Sequence, residues 1–303
     1  MTLPSVAIVI PTCKRPELLK RCLSRLVPYV AMHPECSITV SDDGDASVTR
    51  AVLDGELGIV NIVQGPHRGP AANRNCGAAH SEGILLIFLD DDCTPEPSLI
   101  AAYQDAAEKH PEIGVFEGRI SAQGTAKGFA DACPENETGG YLWSCNFAIR
   151  RELFTRISGF DERFPFAAVE DSDFHFRVKQ LATVLFLRDA RVWHSYERRL
   201  GWKPVKHHAL SLVLFMHIHG LKATRQGPVK FLKSAIKRLI EVGNRLLRRR
   251  TALHPMQGLR VAWVNLQLAV IASGWKFHAK LAAMFYPPCC SSCESIHSHL
   301  RGN

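Results

Sequence analysis

The stretch from Ser5 to Lys109 constrains the fold more than any other feature, because short apolar runs and helical patterns alternate along it. Residues 5–10 (SVAIVI) form a continuous apolar run rich in β-branched residues, as expected for a strand buried on both faces. Pro11-Thr12 ends that run, and Arg15-Pro16-Glu17 opens a helix with Leu18, Leu19, Cys22, Leu23 and Leu26 at helical spacing. Residues 37–40, 58–63 and 84–89 read as further strands, and 71–80 and 97–109 as helices. Such alternation predicts βαβ units and an α/β domain on a mainly parallel sheet flanked by helices. Ligands of these sheets bind beyond the carboxyl ends of the strands. Two acidic clusters stand at such ends, Asp42-Asp43 and Asp90-Asp91-Asp92.

Past residue 114 the pattern loosens. Residues 115–120 and 144–149 read as strands, 151–157 and 170–181 as helices, and 183–187 and 190–193 as closing strands. Residues 124–140 are polar and Gly-rich, a loop suited to closing over a ligand. From about Leu200 the chain turns to long basic helices, with Leu232, Ala235, Ile236, Leu239, Ile240, Gly243, Leu246 and Leu247 on one face. Charge divides in the same place. Residues 1–197 carry 19 Lys/Arg and 27 Asp/Glu, a net −8, whereas residues 198–303 carry 18 and 2, a net +16. We therefore expect a catalytic domain over 1–199 and a basic, mainly helical region over 200–303.

Basic amphipathic helices suit an anionic membrane surface; packing on the catalytic domain with a solvated cationic face explains them equally. No nucleic-acid module accompanies the charge, so no specific nucleic acid is expected. No secretory signal opens the sequence. No apolar run reaches the roughly 18 residues of a membrane span, and the nearest, 261–275, contains Asn265 and Gln267. The expectation is a cytoplasmic protein with mostly reduced thiols, able to lie peripherally at the inner face of the membrane. The cluster Cys289, Cys290 and Cys293 lacks the second pair of a zinc site and receives no role.

Three adjacent carboxylates at 90–92 repel one another, and a cation offsets that cost. Mg²⁺ or Mn²⁺ suits such oxygen ligands, and in extended chain Asp90 and Asp92 share a side while Asp91 faces elsewhere. A solvated acidic turn before a helix is the plainer alternative. Glu170-Asp171-Ser172-Asp173 is open to two readings as well: stabilising charge at a helix N-terminus, or a general base for an attacking hydroxyl. His194 follows a strand end, where either a structural or a metal-binding role is admissible. Arg74 can pair with a phosphate or with the nearby acidic turn. No Gly-x-Gly-x-x-Gly, Walker Gly-Lys-Ser/Thr or Gly-x-Ser-x-Gly motif is present, which removes support for dinucleotide, P-loop and hydrolase-elbow chemistry.

Taken in order, seven segments resemble family 2 glycosyltransferases of the GT-A fold: VAIVIPTCKRP at 6–16, VSDDGD at 40–45, RGPAANRNCG at 68–77, LDDDCTP at 89–95, SCNFAIRR at 144–151, SGFDE at 158–162 and VEDSDFHFR at 169–177. The resemblance implies an inverting transferase that moves a sugar from a nucleotide-diphospho-sugar donor to an acceptor hydroxyl. It implies that Thr12, Arg15, Asp42 and Asp43 hold the nucleoside, with Arg74 beside the donor phosphates. Asp90 and Asp92 match the family's Asp-x-Asp, Asp92 as ligand of a Mg²⁺ or Mn²⁺ ion. Asp90 would assist there and contact ribose or sugar, with Asp91 also on the donor side. His194 matches a histidine that completes the metal site in some members. Asp171 matches the catalytic base, and Glu170, Trp143 and Asn146 would lie near the acceptor. Family acceptors are often lipid-linked or nascent polysaccharide, so a glycan or lipid-linked acceptor is the expected partner.

Two positions depart from the family pattern: Asp45 replaces the usual Ser of Asp-Asp-Gly-Ser, and Ser158-Gly159 replaces Gly-Gly. The first bears on donor choice. Rival readings are a sugar-nucleotide nucleotidyltransferase, which should carry a Gly-rich loop where Pro11-Thr12-Cys13-Lys14 stands, a non-catalytic membrane- or polyanion-binding relative, and a glycosidase, which needs no Asp-x-Asp metal site.

Overall fold

The computed structural model of the chain describes residues 3–53, 58–126, 131–198 and 202–219, with single positions at 236, 259, 262, 263 and 266. The predicted basic helix over 232–247, the 261–275 segment taken as a whole and the cysteine cluster at 289–293 lie outside the described residues. The chain divides into two compact units, one of residues 1–124 with 133–195, the other of 125–132 with 196–303.

The first unit is built on an eight-stranded sheet. Its elements run β1 (Val6–Thr12), α1 (Pro16–Val30), β2 (Cys36–Asp42), α2 (Ala46–Val52), β3 (Val60–Gln64), α3 (Pro70–Ala79), β4 (Leu85–Leu89), β5 (Cys93–Pro95), α4 (Leu99–Lys109) and β6 (Val115–Gln123). After β7 (Asp131–Ala132), which belongs to the second unit, come β8 (Asn146–Arg150), α5 (Arg151–Arg156), α6 (Glu170–Val178) and β9 (Val184–Ser195). The strand order is β3-β2-β1-β4-β8-β6-β9-β5. Strands β1 to β4 pair in parallel, β8 runs antiparallel to both its neighbours, and β6 pairs in parallel with β9. This is the mixed, mainly parallel sheet flanked by helices that the sequence predicts.

Alternation along β1 assigns the two faces. Val6, Ile8 and Ile10 join a core layer with Leu19, Leu23 and Leu26 of α1 and Tyr103 of α4. Ala7 and Val9 join the opposite layer, with α3, α5 and α6. Five phenylalanines, Phe88, Phe147, Phe154, Phe160 and Phe174, fill that second layer in stacked and edge contacts, such as 4.4 Å between the ring centroids of Phe160 and Phe174. Each such buried side chain contributes about 1.5–3 kcal/mol.

Several expectations need revision. β1 continues through Pro11 and Thr12, paired with Ser41 and Asp42. Pairing with β4 stops at Val9, so the N–H that Pro11 lacks interrupts no rung on that side. The two closing strands are one, β9, which slips register opposite Gly118 and Arg119. Gly118 permits this, because a Cβ there would lie 2.2 Å from Asn146 Nδ2 and 2.6 Å from the Ala190 carbonyl. The pattern also hid β5 and α2. Asp45 caps α2, its Oδ1 accepting from the Ser47 N–H at 2.9 Å. That is the work of a helix-capping Ser or Asp, so the departure at 45 conserves the local structure.

In the second unit β7 pairs antiparallel with β10 (Glu197–Arg198), and α7 (Trp202–Ile218) follows. No described helix is long and apolar enough to cross a membrane.

Candidate active site at the strand ends

The carboxyl ends of β1, β2 and β4 lie side by side, and the loops leaving them carry the polar groups. Asn73, on the first turn of α3, ties these ends together: its amide donates to the carbonyls of Thr12 at 3.1 Å and Ser41 at 2.9 Å. Asp42 is wholly buried, accepting from the Gly44 N–H and the Thr49 hydroxyl, each at 2.7 Å. It fixes the turn, with both carboxylate oxygens engaged within the chain. Asp43 is half-buried and accepts from the N–H groups of His67 at 2.8 Å and Gly69 at 2.9 Å. Gly65 makes room, since a Cβ there would lie 2.5 Å from Asp43 Oδ1.

The three aspartates after β4 separate into three environments. Asp91 is fully buried; its Oδ2 accepts from the Thr12 hydroxyl at 2.6 Å and its Oδ1 faces an Arg15 nitrogen at 2.8 Å. Burial pushes its carboxyl up to about 7, against the pull of Arg15 and Thr12. Asp91 and Thr12 were expected to touch the donor. Both face inward, so they organise Arg15, which remains substantially exposed. Asp90 turns to Arg74 at 2.7 Å and stays partly exposed.

Asp92 faces His194, with Oδ1 3.2 Å from Nε2, while its Oδ2 lies 3.1 Å from Arg15. The other ring nitrogen of His194, Nδ1, lies 2.8 Å from the Ser195 carbonyl. Burial alone would lower the imidazole's pKa, but the hydrogen bond to Asp92 overrides it and lifts the group to about 10. Asp92, Cys93 and His194 each bring one ligand atom within 4.8 Å of the others. A carboxylate beside an imidazole whose second nitrogen is held by a carbonyl fits a divalent cation of the Mn²⁺ type. Asp90, turned to Arg74, lies outside this group.

Arg74 spans the two acidic clusters. Its guanidinium is buried, 2.7 Å from Asp90 and 3.2 Å from Glu170, and lies 5.5 Å from the centroid of the Phe160 ring. Glu170 and Asp171 open α6 behind Val169, whose φ of 73° is a left-handed conformation costly for a β-branched residue. Burial, then the neighbouring Asp171, pushes Glu170 up to about 7 despite Arg74. Burial raises Asp171 too, with Arg74 opposing. Asp171 stays partly exposed, unlike Glu170. Lys14, His67 and Leu142, in loops after β1, after β3 and before β8, are also left-handed.

Asn146 lies within the sheet. It is fully buried, accepts from the Tyr103 hydroxyl at 2.8 Å and donates to the Arg119 and Ala190 carbonyls, both at 2.9 Å. These bonds stitch the sheet at the β9 register slip. Trp143 is half-buried and stacks on exposed Tyr141, ring centroids 5.8 Å apart. The loop carrying them hangs on a residue overlooked in the sequence, Glu117. Its buried carboxylate accepts from Asn136 Nδ2 and from the N–H groups of Gly140, Tyr141 and Leu142 at 2.6–2.8 Å. A lone acid in the apolar run 115–120 was the available signal.

A family model described as glycosyl transferase family 2 matches residues 7–158. Validoxylamine A glucosyltransferase of Streptomyces hygroscopicus subsp. limoneus is 28% identical over 217 residues, covering 58% of this chain and 48% of that protein. The chain thus spans about half the length of that curated relative. The mannosyltransferase PcManGT from Pyrobaculum calidifontis, solved with GDP-Man and Mn²⁺, superposes with a TM-score of 0.53 at 16% identity, covering 99% of this chain and 80% of that one. S. aureus TarS 1-349 gives 0.56 at 14% identity, covering 98% and 88%. These two likenesses concern the fold.

Proposed function

We propose that this chain, which belongs to glycosyl transferase family 2, is an inverting transferase that moves a sugar from a nucleotide-diphosphate donor to an acceptor hydroxyl. The reading rests on one observation: within a single sheet end, Arg74 joins an acidic group that also offers an Asp–His pair (Asp90, Asp92 and His194) to a second group with a partly exposed carboxylate at a helix start (Glu170 and Asp171). The first suits a diphosphate and its counterion. The second suits proton abstraction.

Asp92 and His194 would hold the divalent ion, and a bound ion would neutralise the charge left on the departing diphosphate. PcManGT was solved with Mn²⁺ bound, which supports a divalent ion, and the imidazole in the donor set suits Mn²⁺. Asp43 and Arg15, both at the rim, would meet the nucleoside and phosphates, held in place by Asp91, Thr12 and Asn73 from beneath. Asp171, ionised, takes the proton of the acceptor hydroxyl as that oxygen attacks the anomeric carbon from the side opposite the leaving group. Arg74 offsets the charge of Asp171 and is held there by Glu170. Tyr141 and Trp143 would form one wall for the acceptor, a glycan or lipid-linked sugar. A basic second region fits an anionic membrane surface near such an acceptor.

The test is a panel of nucleotide-sugars with and without Mn²⁺, read by release of nucleoside diphosphate. Metal-dependent release from at least one sugar nucleotide is expected. Absence of release from every donor under every ionic condition, with acceptor glycans present, contradicts the reading.

A further inference from the structure

Cys93 lies at the back of the Asp92–His194 pair and plays no part in the proposed transfer. Strand β5 is antiparallel to β9, and Cys93 is the direct cross-strand partner of His194. Directly opposed residues project from the same face of a sheet. The thiol is fully buried, with its Sγ 3.6 Å from the Cys145 carbonyl, and it falls within the same 4.8 Å group of ligand atoms as Asp92 and His194. His194 is already arranged as a ligand, because its Nδ1 is occupied by the Ser195 carbonyl and Nε2 faces the shared space. Oxygen, nitrogen and sulfur donors from three side chains therefore converge.

We propose that Cys93 gives this centre a sulfur ligand, so that the pocket takes thiophilic divalent ions such as Zn²⁺, Co²⁺ and Cd²⁺ in preference to Mg²⁺ or Mn²⁺. A thiolate selects borderline and soft cations, whereas Mg²⁺ and Mn²⁺ gain little from it. Coordination replaces the thiol proton, which leaves to solvent, and forms a metal–sulfur bond with no change of oxidation state. The consequence is competition: a thiophilic ion held by Asp92, Cys93 and His194 excludes the harder ion that transfer is proposed to use. This inference rests on reading the pocket as the metal site of the proposed transferase.

The test uses the full chain, freed of metal with a chelator, and Co²⁺ as the probe. Titration of the wild type should produce the sulfur-to-cobalt charge-transfer absorption in the near ultraviolet. The band should persist when Cys289, Cys290 and Cys293 are all changed to Ser, and should vanish in Cys93→Ala and in the nearly isosteric Cys93→Ser. Isothermal titration of Cys93→Ser should show Zn²⁺ binding weakened by about tenfold or more, the scale on which single groups around a metal act, with Mn²⁺ binding little changed. Circular dichroism checks that each variant is folded, and Cys93→Ser decides if Cys93→Ala is not. A band that survives in Cys93→Ser, or a wild type that binds Co²⁺ without a sulfur band or not at all, overturns the proposal. Donor turnover plays no part in this readout, so failure of the transferase reading would register separately.

Discussion

The two acidic clusters at the sheet end look alike in sequence and differ in how their charge is met. Asp90, Asp91 and Asp92 are shared among Arg74, Arg15, Thr12 and His194. Glu170 and Asp171 have far less: Arg74 reaches Glu170, and the Ser172 N–H reaches Asp171. The first cluster is an ordered, compensated array, the arrangement expected where phosphates and a counterion come and go. Burial raises both carboxyls of the second, Glu170 to about 7, as it raises the fully buried Asp91 of the first; Asp171 differs from both in staying partly exposed. Compensation, rather than the number of acids, separates a binding cluster from a proton-accepting one.

Breaking the link between them should have the largest effect on stability. Arg74→Ala leaves Glu170 buried and Asp90 unpaired, a loss of about 3–5 kcal/mol of folding stability by urea denaturation. Arg74→Lys should recover part of it, since the charge returns without the second arm that spans both clusters. A variant as stable as the wild type would mean that the clusters are independent.

A titration sharpens the contrast. The folded protein retains on Glu170 a proton that the unfolded chain releases near 4.5, so this group makes stability fall as pH rises from about 4.5 to about 7. Glu170→Gln should flatten that fall in thermal melts. A fall of unchanged slope would mean that another group carries it.

The smallest expected effect concerns the frame around the second cluster. Ser158 has a φ of 59°, just before Gly159 at 63°. Ser158→Gly restores the family's Gly-Gly and removes about 1 kcal/mol of left-handed strain, which should raise the melting temperature by a few degrees. An unchanged or lower value would mean that the serine side chain offsets its backbone cost.

How much of this was legible in the sequence follows from what pattern encodes. The parallel half was readable because Ala7 and Val9 on one face, and Val6, Ile8 and Ile10 on the other, are all apolar, so the strand announces burial on both sides. The strand ends then located the aspartates. Hydrophobic pattern is blind to side-chain direction at a turn, so it could not show that Asp42 and Asp91 point inward, or that Asp90 turns to Arg74. β5 is only three residues long, too short to carry a period. The antiparallel half depends on Gly118 and Asn146 making room for one another, a contact between residues far apart in sequence. Cys93 looked like one more scattered thiol until its cross-strand pairing with His194 was known.

The division of labour between the clusters is the central claim, and one paired measurement on Asp171→Asn tests it most directly: donor affinity by isothermal titration in Mn²⁺, and turnover by nucleoside diphosphate release. The account predicts donor binding close to that of the wild type, with turnover reduced by about 10²–10⁴-fold, the contribution of a positioned general base. Turnover near the wild-type rate, or loss of donor binding in step with loss of turnover, would contradict it.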